Sequence, residues 1–207
     1  MCINALVAKH AKLFILIGNM AERKFNTLAE LLYWSYANLQ MADAACNMGK
    51  QSYDRTCFMI RSKAYKAYCE GRWQISDLYR QQIEKLQQSN HSCAYCGKIF
   101  ESQQEITIDH IFPRIKGGTN EMENILFACK TCNSSKGDKD MFGWYVDHFN
   151  KFPSIYLTAN YLKKVYLYAQ AKDLLHVELS VLDTMNLPFD WRCIPTKYPD
   201  PQYFQEG

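Results

Sequence analysis

Apolar residues recur at helical spacing soon after residue 20. Leu28, Leu31, Leu32 and Leu39 share one face, and Thr27 with Glu30 three residues on has the form of a capping box, so a helix is predicted to open there. A second helix is predicted over about 52–69, with Phe58, Tyr65 and Tyr68 inward and Gly71 just past its end. Ser76 is placed to cap a third, carrying Leu78, Tyr79, Ile83 and Leu86, so residues 20–88 read as all-helical. The pattern changes at residue 90. Turns, the β-branched run Ile106-Thr107-Ile108, a Gly117-Gly118 turn and the run Ile125-Leu126-Phe127 predict two short strands joined by a loop. Helix is predicted to resume after Asn133 and run to about Phe149, with Pro153 beyond. Another covers about 155–172, with Leu162, Val165, Tyr166 and Ala169 on one face. From Leu187 onward, Pro188, Pro195, Pro199 and Pro201 stand among aromatics and predict irregular chain packed on the surface.

The fold class that follows is mainly α with a small α+β module. Its parts are a helical region over 1–90, the module over 91–150, and a helix with an irregular tail over 151–207. A chain of 207 residues suits one domain with extensions or two small ones. Hydrophobic content of 48% and charged content of 22% are those of an ordinary soluble globular protein, and a net charge of +3 says little about partners. Distribution says more. Residues 50–90 hold eight Lys/Arg against four acids, whereas 93–140 hold six against seven, so the basic stretch precedes the module. The most apolar run, Leu13 to Ile17, is too short to span a bilayer, and no cleavage-site pattern marks a signal peptide. Met20-Ala-Glu-Arg-Lys has the form of a natural start, which leaves residues 1–19 as either native chain or a leader from an upstream start codon.

Of nine cysteines, five (Cys2, Cys46, Cys57, Cys69, Cys193) are scattered, and four form the pairs Cys93-x-x-Cys96 and Cys129-x-x-Cys132. An odd count with this grouping predicts a reducing, cytoplasmic setting and a metal site rather than a disulfide framework. Each Cys-x-x-Cys knuckle supplies two corners of a tetrahedron, so the four thiolates predict a closed structural zinc site that staples a hairpin too small to fold unaided. His91 lies beside the first knuckle, but four thiolates already fill the shell.

Between and just behind the knuckles stand Asp109-His110-Ile111-x-Pro113, Gly117-Gly118, Asn124 and Asn133-x-x-Lys136. In this order, within two Cys-x-x-Cys pairs, the series resembles the HNH endonuclease family in its variant with a four-cysteine zinc site. The resemblance covers about 93–140, under a quarter of the chain. It implies a ββα-metal fold in which His110 is the general base, Asp109 and Asn133 bind the catalytic ion, and Asn124 holds the loop that orients His110. Asn133 stands where some members have a metal-binding histidine, which favours magnesium, a cation that prefers oxygen ligands. The chemistry is consistent on its own terms. An imidazole with a pKa near ~6.5 accepts a proton at neutral pH, and one hard cation stabilises the charge that develops during phosphodiester hydrolysis. Neighbours on a regular strand point to opposite faces. Asp109 and His110 therefore converge on one phosphate only if the strand ends or bulges there.

The resemblance also implies DNA as partner. Arg55, Arg61, Lys63 and Lys66, with Arg114, Lys116, Lys136 and Lys139, are expected to follow the phosphate backbone. Small proteins of this kind resemble bacterial or phage nucleases, including anti-phage defence effectors that work with a partner ATPase. Two rivals stand against catalysis: a zinc-ribbon binding module, and a partner-binding adaptor around a vestigial nuclease core. The ring count reads as helix-packing core, and His10, His148 and His176 carry no assigned chemistry.

Overall fold

The structure is a computed structural model and describes residues 23–75 and 91–205. The helix expected from Ser76, with Arg80 and Lys85, and the alternative starts at 1 and 20 lie outside these residues. The first described helix, α1 (Leu28–Asn47), opens as its cap residues predict: the Thr27 side chain accepts the Glu30 N–H, and the Glu30 carboxylate reaches back to Asn26 N at 2.7 Å. Its buried face includes Leu28, Leu31, Leu32, Tyr36 and Leu39. Helix α2 (Arg55–Cys69) starts later than predicted because Asp54 caps it, accepting the Cys57 N–H at 3.0 Å. α2 buries only Cys57, Ala64, Ala67 and Tyr68, a narrow stripe that lets it lie along α1 and leaves its other faces to solvent. Phe58 and Tyr65, expected inward, are half-buried.

The predicted strands form one antiparallel pair. β1 (Ile106–His110) and β2 (Ile125–Cys129) run in regular register from Ile106 opposite Cys129 to His110 opposite Ile125. Helix α3 (Lys130–Lys136) follows β2 without a loop. The sequence predicts one helix from Asn133 to Phe149. Instead α3 already begins at Lys130, and the chain breaks at Gly137, whose φ of 53° is left-handed. Asp140 then caps a separate helix, α4 (Met141–Phe149), accepting the Gly143 N–H at 2.9 Å. Helix α5 (Ile155–Ala171) carries the predicted face of Leu162, Val165, Tyr166 and Ala169 into the core and packs on α1, where Tyr36 donates to the Ala159 carbonyl at 3.1 Å.

The C-terminal segment departs from the expected surface position. Short helix α6 (Leu179–Leu182) precedes the tail, which from Leu187 holds a single 3-10 turn at Trp191–Cys193 and short helix α7 (Gln202–Gln205) in otherwise irregular chain. Yet Phe189, Ile194 and Tyr198 are buried. The strap crosses α1, with Trp34 Nε1 and Asn38 Nδ2 donating to the Thr196 carbonyl and Tyr198 bonding Ser35 at 3.2 Å. Prolines there stop regular pairing, and side chains of distant elements satisfy the backbone instead. One cluster of buried side chains runs from α1 and α5 through Phe112, Leu126 and Ala128 into the hairpin, so the small sheet is seated on the helices. Among the described residues no helix is long and apolar enough to cross a membrane.

Candidate active site

The two knuckles meet at one end of the hairpin. Cys93 and Cys96 lie in a tight turn closed by Cys93 N donating to the Lys98 carbonyl and by Gly97, at φ 72°. Ala94 N docks this turn on β2 through the Phe127 carbonyl at 2.9 Å. Cys129 ends β2, and Cys132 is buried in the first turn of α3. All four sulfurs lie within 4.8 Å of one another, and Cys96 Sγ to Cys129 Sγ is 3.9 Å. A tetrahedron with metal–sulfur bonds of about 2.3 Å has edges of roughly 3.8 Å, so the cluster fits one metal ion of zinc's size and chemistry. Burial raises the Cys93 and Cys132 thiols above their ordinary range. A bound metal would therefore have to displace their protons.

At the other end, the connection between the strands is folded around Asn124. Its Oδ1 accepts Phe112 N at 2.8 Å, its Nδ2 donates to the carbonyls of Phe112 and Thr119 at 3.0 and 2.8 Å, and its own carbonyl accepts Ile111 N. Asn124 is fully buried. A Cβ at Gly118 would fall 1.8 Å from the Phe112 carbonyl oxygen, so only glycine permits this approach. Phe112 anchors the loop on the body by stacking on Phe189 and meeting Tyr168 edge-on. The clamp fixes the segment carrying Asn120, whose Oδ1 lies 3.0 Å from His110 Nε2. An amide oxygen only accepts, so that ring nitrogen carries the hydrogen and Nδ1 is left as the acceptor.

β1 ends at His110 without a bulge, and its side chains alternate as a regular strand requires. His110 turns to the Asn120 loop, while Asp109 is buried, 4% exposed, on the other face against α3. Asp109 Oδ2 accepts from the Tyr95 hydroxyl, and Oδ1 accepts from Lys136 Nζ at 3.2 Å. Asn133 stands on the same side, its Nδ2 donating to Thr107 Oγ1 at 3.1 Å and to the Ile108 carbonyl at 3.0 Å. With the nitrogen so used, its Oδ1 accepts no hydrogen bond among the described residues. Each Asp109 oxygen keeps lone-pair capacity beyond its one donor. Asn133 is held through its nitrogen, and Asp109 by one hydrogen bond to each oxygen, so both keep oxygen lone pairs of the kind a hard divalent cation takes while keeping most of its own waters. Asp109, Asn133 and Lys136 are thus gathered against α3, and His110 with Asn120 stands at the point where β1 ends, the condition set for the pair to approach one phosphate.

Residues 93–140 match the family model described as HNH endonuclease. This segment belongs to the HNH endonuclease family. Over 92 residues, 44% of this chain, the protein is 37% identical to the CRISPR-associated endonuclease Cas9 of Corynebacterium diphtheriae, and that match covers 8% of the relative's length. No solved structure matches. The HNH segment contains both knuckles, the Asn124 clamp and the Asp109–His110 pair.

The four cations expected to meet phosphate in the HNH segment are not equivalent. Arg114 is exposed on the loop after Pro113. Lys116 and Lys139 open on a cleft of about 460 Å³ lined also by Asp140, Asp147, Asp183 and Asp190, where Arg192 is paired with Asp183 and Asp190. Lys136 differs from the expectation altogether. Its side chain is wholly buried, its ammonium donating to Asp109 and to the His110 carbonyl at 2.6 Å. Burial pulls it below its ordinary range, with Asp109 opposing that shift. It ties α3 to β1 and does not reach the surface. Sequence reasoning also passed over Tyr95 and Asn120. The only local signal for Tyr95 was its place inside a knuckle, and Asn120 gave none beyond its closeness to the Gly117-Gly118 turn.

Proposed function

We propose that the chain is a metal-dependent nuclease that hydrolyses DNA phosphodiester bonds. In this reading the four cysteines hold a structural zinc, and Asp109 with Asn133 holds a magnesium-like ion. The observation that carries the reading is the fixed imidazole: His110 Nε2 is committed to Asn120 at 3.0 Å on a loop clamped by buried Asn124, leaving Nδ1 as a preset base. His110 Nδ1 takes a proton from a water as that water's oxygen attacks the phosphorus. The bond to the 3′ oxygen breaks, and the leaving alkoxide takes a proton from solvent, giving 5′-phosphate and 3′-hydroxyl ends. When bound, the divalent ion supplies charge stabilisation to the phosphate oxygens and to the leaving oxygen. Asp109 and Asn133 contribute by holding oxygen donors at fixed positions, and exposed Arg114 adds positive charge beside the scissile strand.

Incubation of supercoiled plasmid with the protein and Mg²⁺, beside His110→Ala, tests this. Wild type is expected to nick or linearise the plasmid, with the variant slower by about 10²–10⁴-fold and its melting temperature unchanged. Equal inertness of the two would favour a non-catalytic zinc-ribbon binding module. A tight protein complex with no metal-dependent cutting would favour an adaptor. The relative's printed name supports the endonuclease class, but the match spans 8% of that protein, so its wider assembly does not carry over. A defence role with a partner ATPase, and a cytoplasmic location, rest on family association and cysteine usage.

A further inference from the structure

A knuckle built only to hold zinc needs its two cysteines and a tight turn; what lies between them is free to vary. Here the second of the two intervening residues is Tyr95, and it is buried at 4% exposure. Its ring meets Trp144 edge-on at 4.9 Å, a contact that phenylalanine would make as well. The hydroxyl is therefore the informative atom. A buried hydroxyl lowers stability unless it is hydrogen-bonded, and this one donates to Asp109 Oδ2. The second carboxylate oxygen meets Lys136 Nζ, which α3 delivers. α3 is also the helix that carries Cys132. Asp109 is thus gripped from two sides by groups that the two knuckles themselves position: Tyr95 from the first, Lys136 from the helix of the second.

We propose that Tyr95 is a positioning residue for Asp109, through which the four-cysteine staple sets the orientation of a carboxylate that binds the divalent cation. The inference rests on the nuclease reading only in taking Asp109 as a cation ligand. A hydroxyl that fixes a ligating carboxylate limits its rotation, so the cation meets an oxygen already aimed. Losing such a partner usually weakens metal affinity by about 10- to 100-fold.

The test uses the full zinc-loaded chain and its Tyr95→Phe variant. Zinc content is measured first, then Mn²⁺ binding by the loss of its free-ion paramagnetic resonance signal, and plasmid cleavage as Mg²⁺ is raised. Zinc content is expected to match wild type, and the melting temperature to fall by only about 2–4 °C, because Lys136 still pairs with Asp109. The Mn²⁺ dissociation constant and the half-saturating Mg²⁺ should each rise about tenfold, with cleavage largely rescued at high Mg²⁺. Unchanged or tighter Mn²⁺ binding at full zinc content overturns the proposal. So does loss of zinc from the variant, which would make the hydroxyl part of the knuckle's own stability. Asp109→Asn separates the two levels. If wild type and this variant bind Mn²⁺ alike, Asp109 is no ligand and the positioning role falls, while cleavage by wild type would leave the nuclease reading standing.

Discussion

The helical body and the hairpin module are adjacent in one core yet held together by different contacts. α1 and α5 meet through Leu28, Leu32, Tyr36, Leu157, Leu162 and Val165, all at or below 1% exposure. Their polar groups mostly serve as caps or cross-ties. The hairpin module buries apolar side chains too, Ile111, Phe112, Leu126 and Ala128 among them, but it adds a cluster of buried polar groups: the thiols of Cys93, Cys129 and Cys132, with Asp109, Asn124 and Lys136. Apolar packing tolerates exchange of similar volumes, whereas a buried polar network fails when any member loses its partner. The body is therefore a forgiving support, and the module is a small device in which nearly every polar atom is committed.

The largest effect should come from removing the staple. Structural zinc contributes of order 10 kcal/mol to the folding of small metal domains, and the hairpin is too short to replace that by burial. Cys132→Ser, or chelation of wild type, is expected to abolish cleavage. Peptides over 106–129 should then exchange their amide hydrogens within minutes, while peptides from α1 and α5 stay protected. Simultaneous loss of protection everywhere would show that hairpin and helices form one cooperative unit in which support and device cannot be told apart.

A matched pair of core substitutions sharpens the contrast. Asn124→Ala leaves Phe112 N and two carbonyls without their partners, at about 1–3 kcal/mol for each buried group orphaned. Leu162→Ala, inside α5, is expected to cost about 2–5 kcal/mol through the cavity it leaves. Denaturant melts should therefore find the two comparably destabilised. At a temperature where both remain folded, cleavage should drop by an order of magnitude or more for Asn124→Ala, because the loop that fixes His110 is freed, and hold near wild type for Leu162→Ala. Equal losses of activity would mean that the site depends on global stability rather than on the clamp.

The same division governs what could be read in advance. α1, α2 and α5 were legible because an apolar stripe is a local signal, joined in α1 by the Thr27 cap; the Asp54 cap of α2 was missed, and the start of that helix was placed a few residues too early. The knuckles were legible because thiolate spacing is set by metal geometry. The early start of α3 was hidden, since Cys129 precedes it without a side-chain cap and Cys132, read as a ligand, also fills the buried position of its first turn. Lys136 reads as a solvated helix residue until a buried carboxylate is known to await it. The strap from Leu187 reads as surface chain because proline composition reports irregular backbone and not burial. Phe189, Ile194 and Tyr198 are buried by α1, α5 and the hairpin loop, partners far away in sequence. What sequence misses in this protein is mostly pairing between distant polar groups.

The smallest effect concerns the body's contribution to DNA binding, and it divides the predicted cations. Arg55, Lys63 and Lys66 are exposed on α2, with Lys66 only loosely paired to Glu70 at 3.7 Å. Arg61 is different. It is half-buried, with its guanidinium 4.6 Å from the Trp34 ring centroid and 5.0 Å from that of Phe58, and it donates to Asn38 Oδ1. Each phosphate contact adds about 0.9 to the slope of log K against log salt on duplex DNA. Changing Arg55, Lys63 and Lys66 together to Ala is expected to flatten that slope by about two to three and to leave the melting temperature within a degree or two. Arg61→Ala should instead lower the melting temperature and move the slope little, because its charge is engaged with rings and an amide inside the fold. An unchanged slope in the triple variant would remove α2 from the DNA footprint and confine contact to the module. A flattened slope in Arg61→Ala at full stability would mean that a residue packed like the body's core also meets phosphate, and the line between support and device would have to be redrawn through α2.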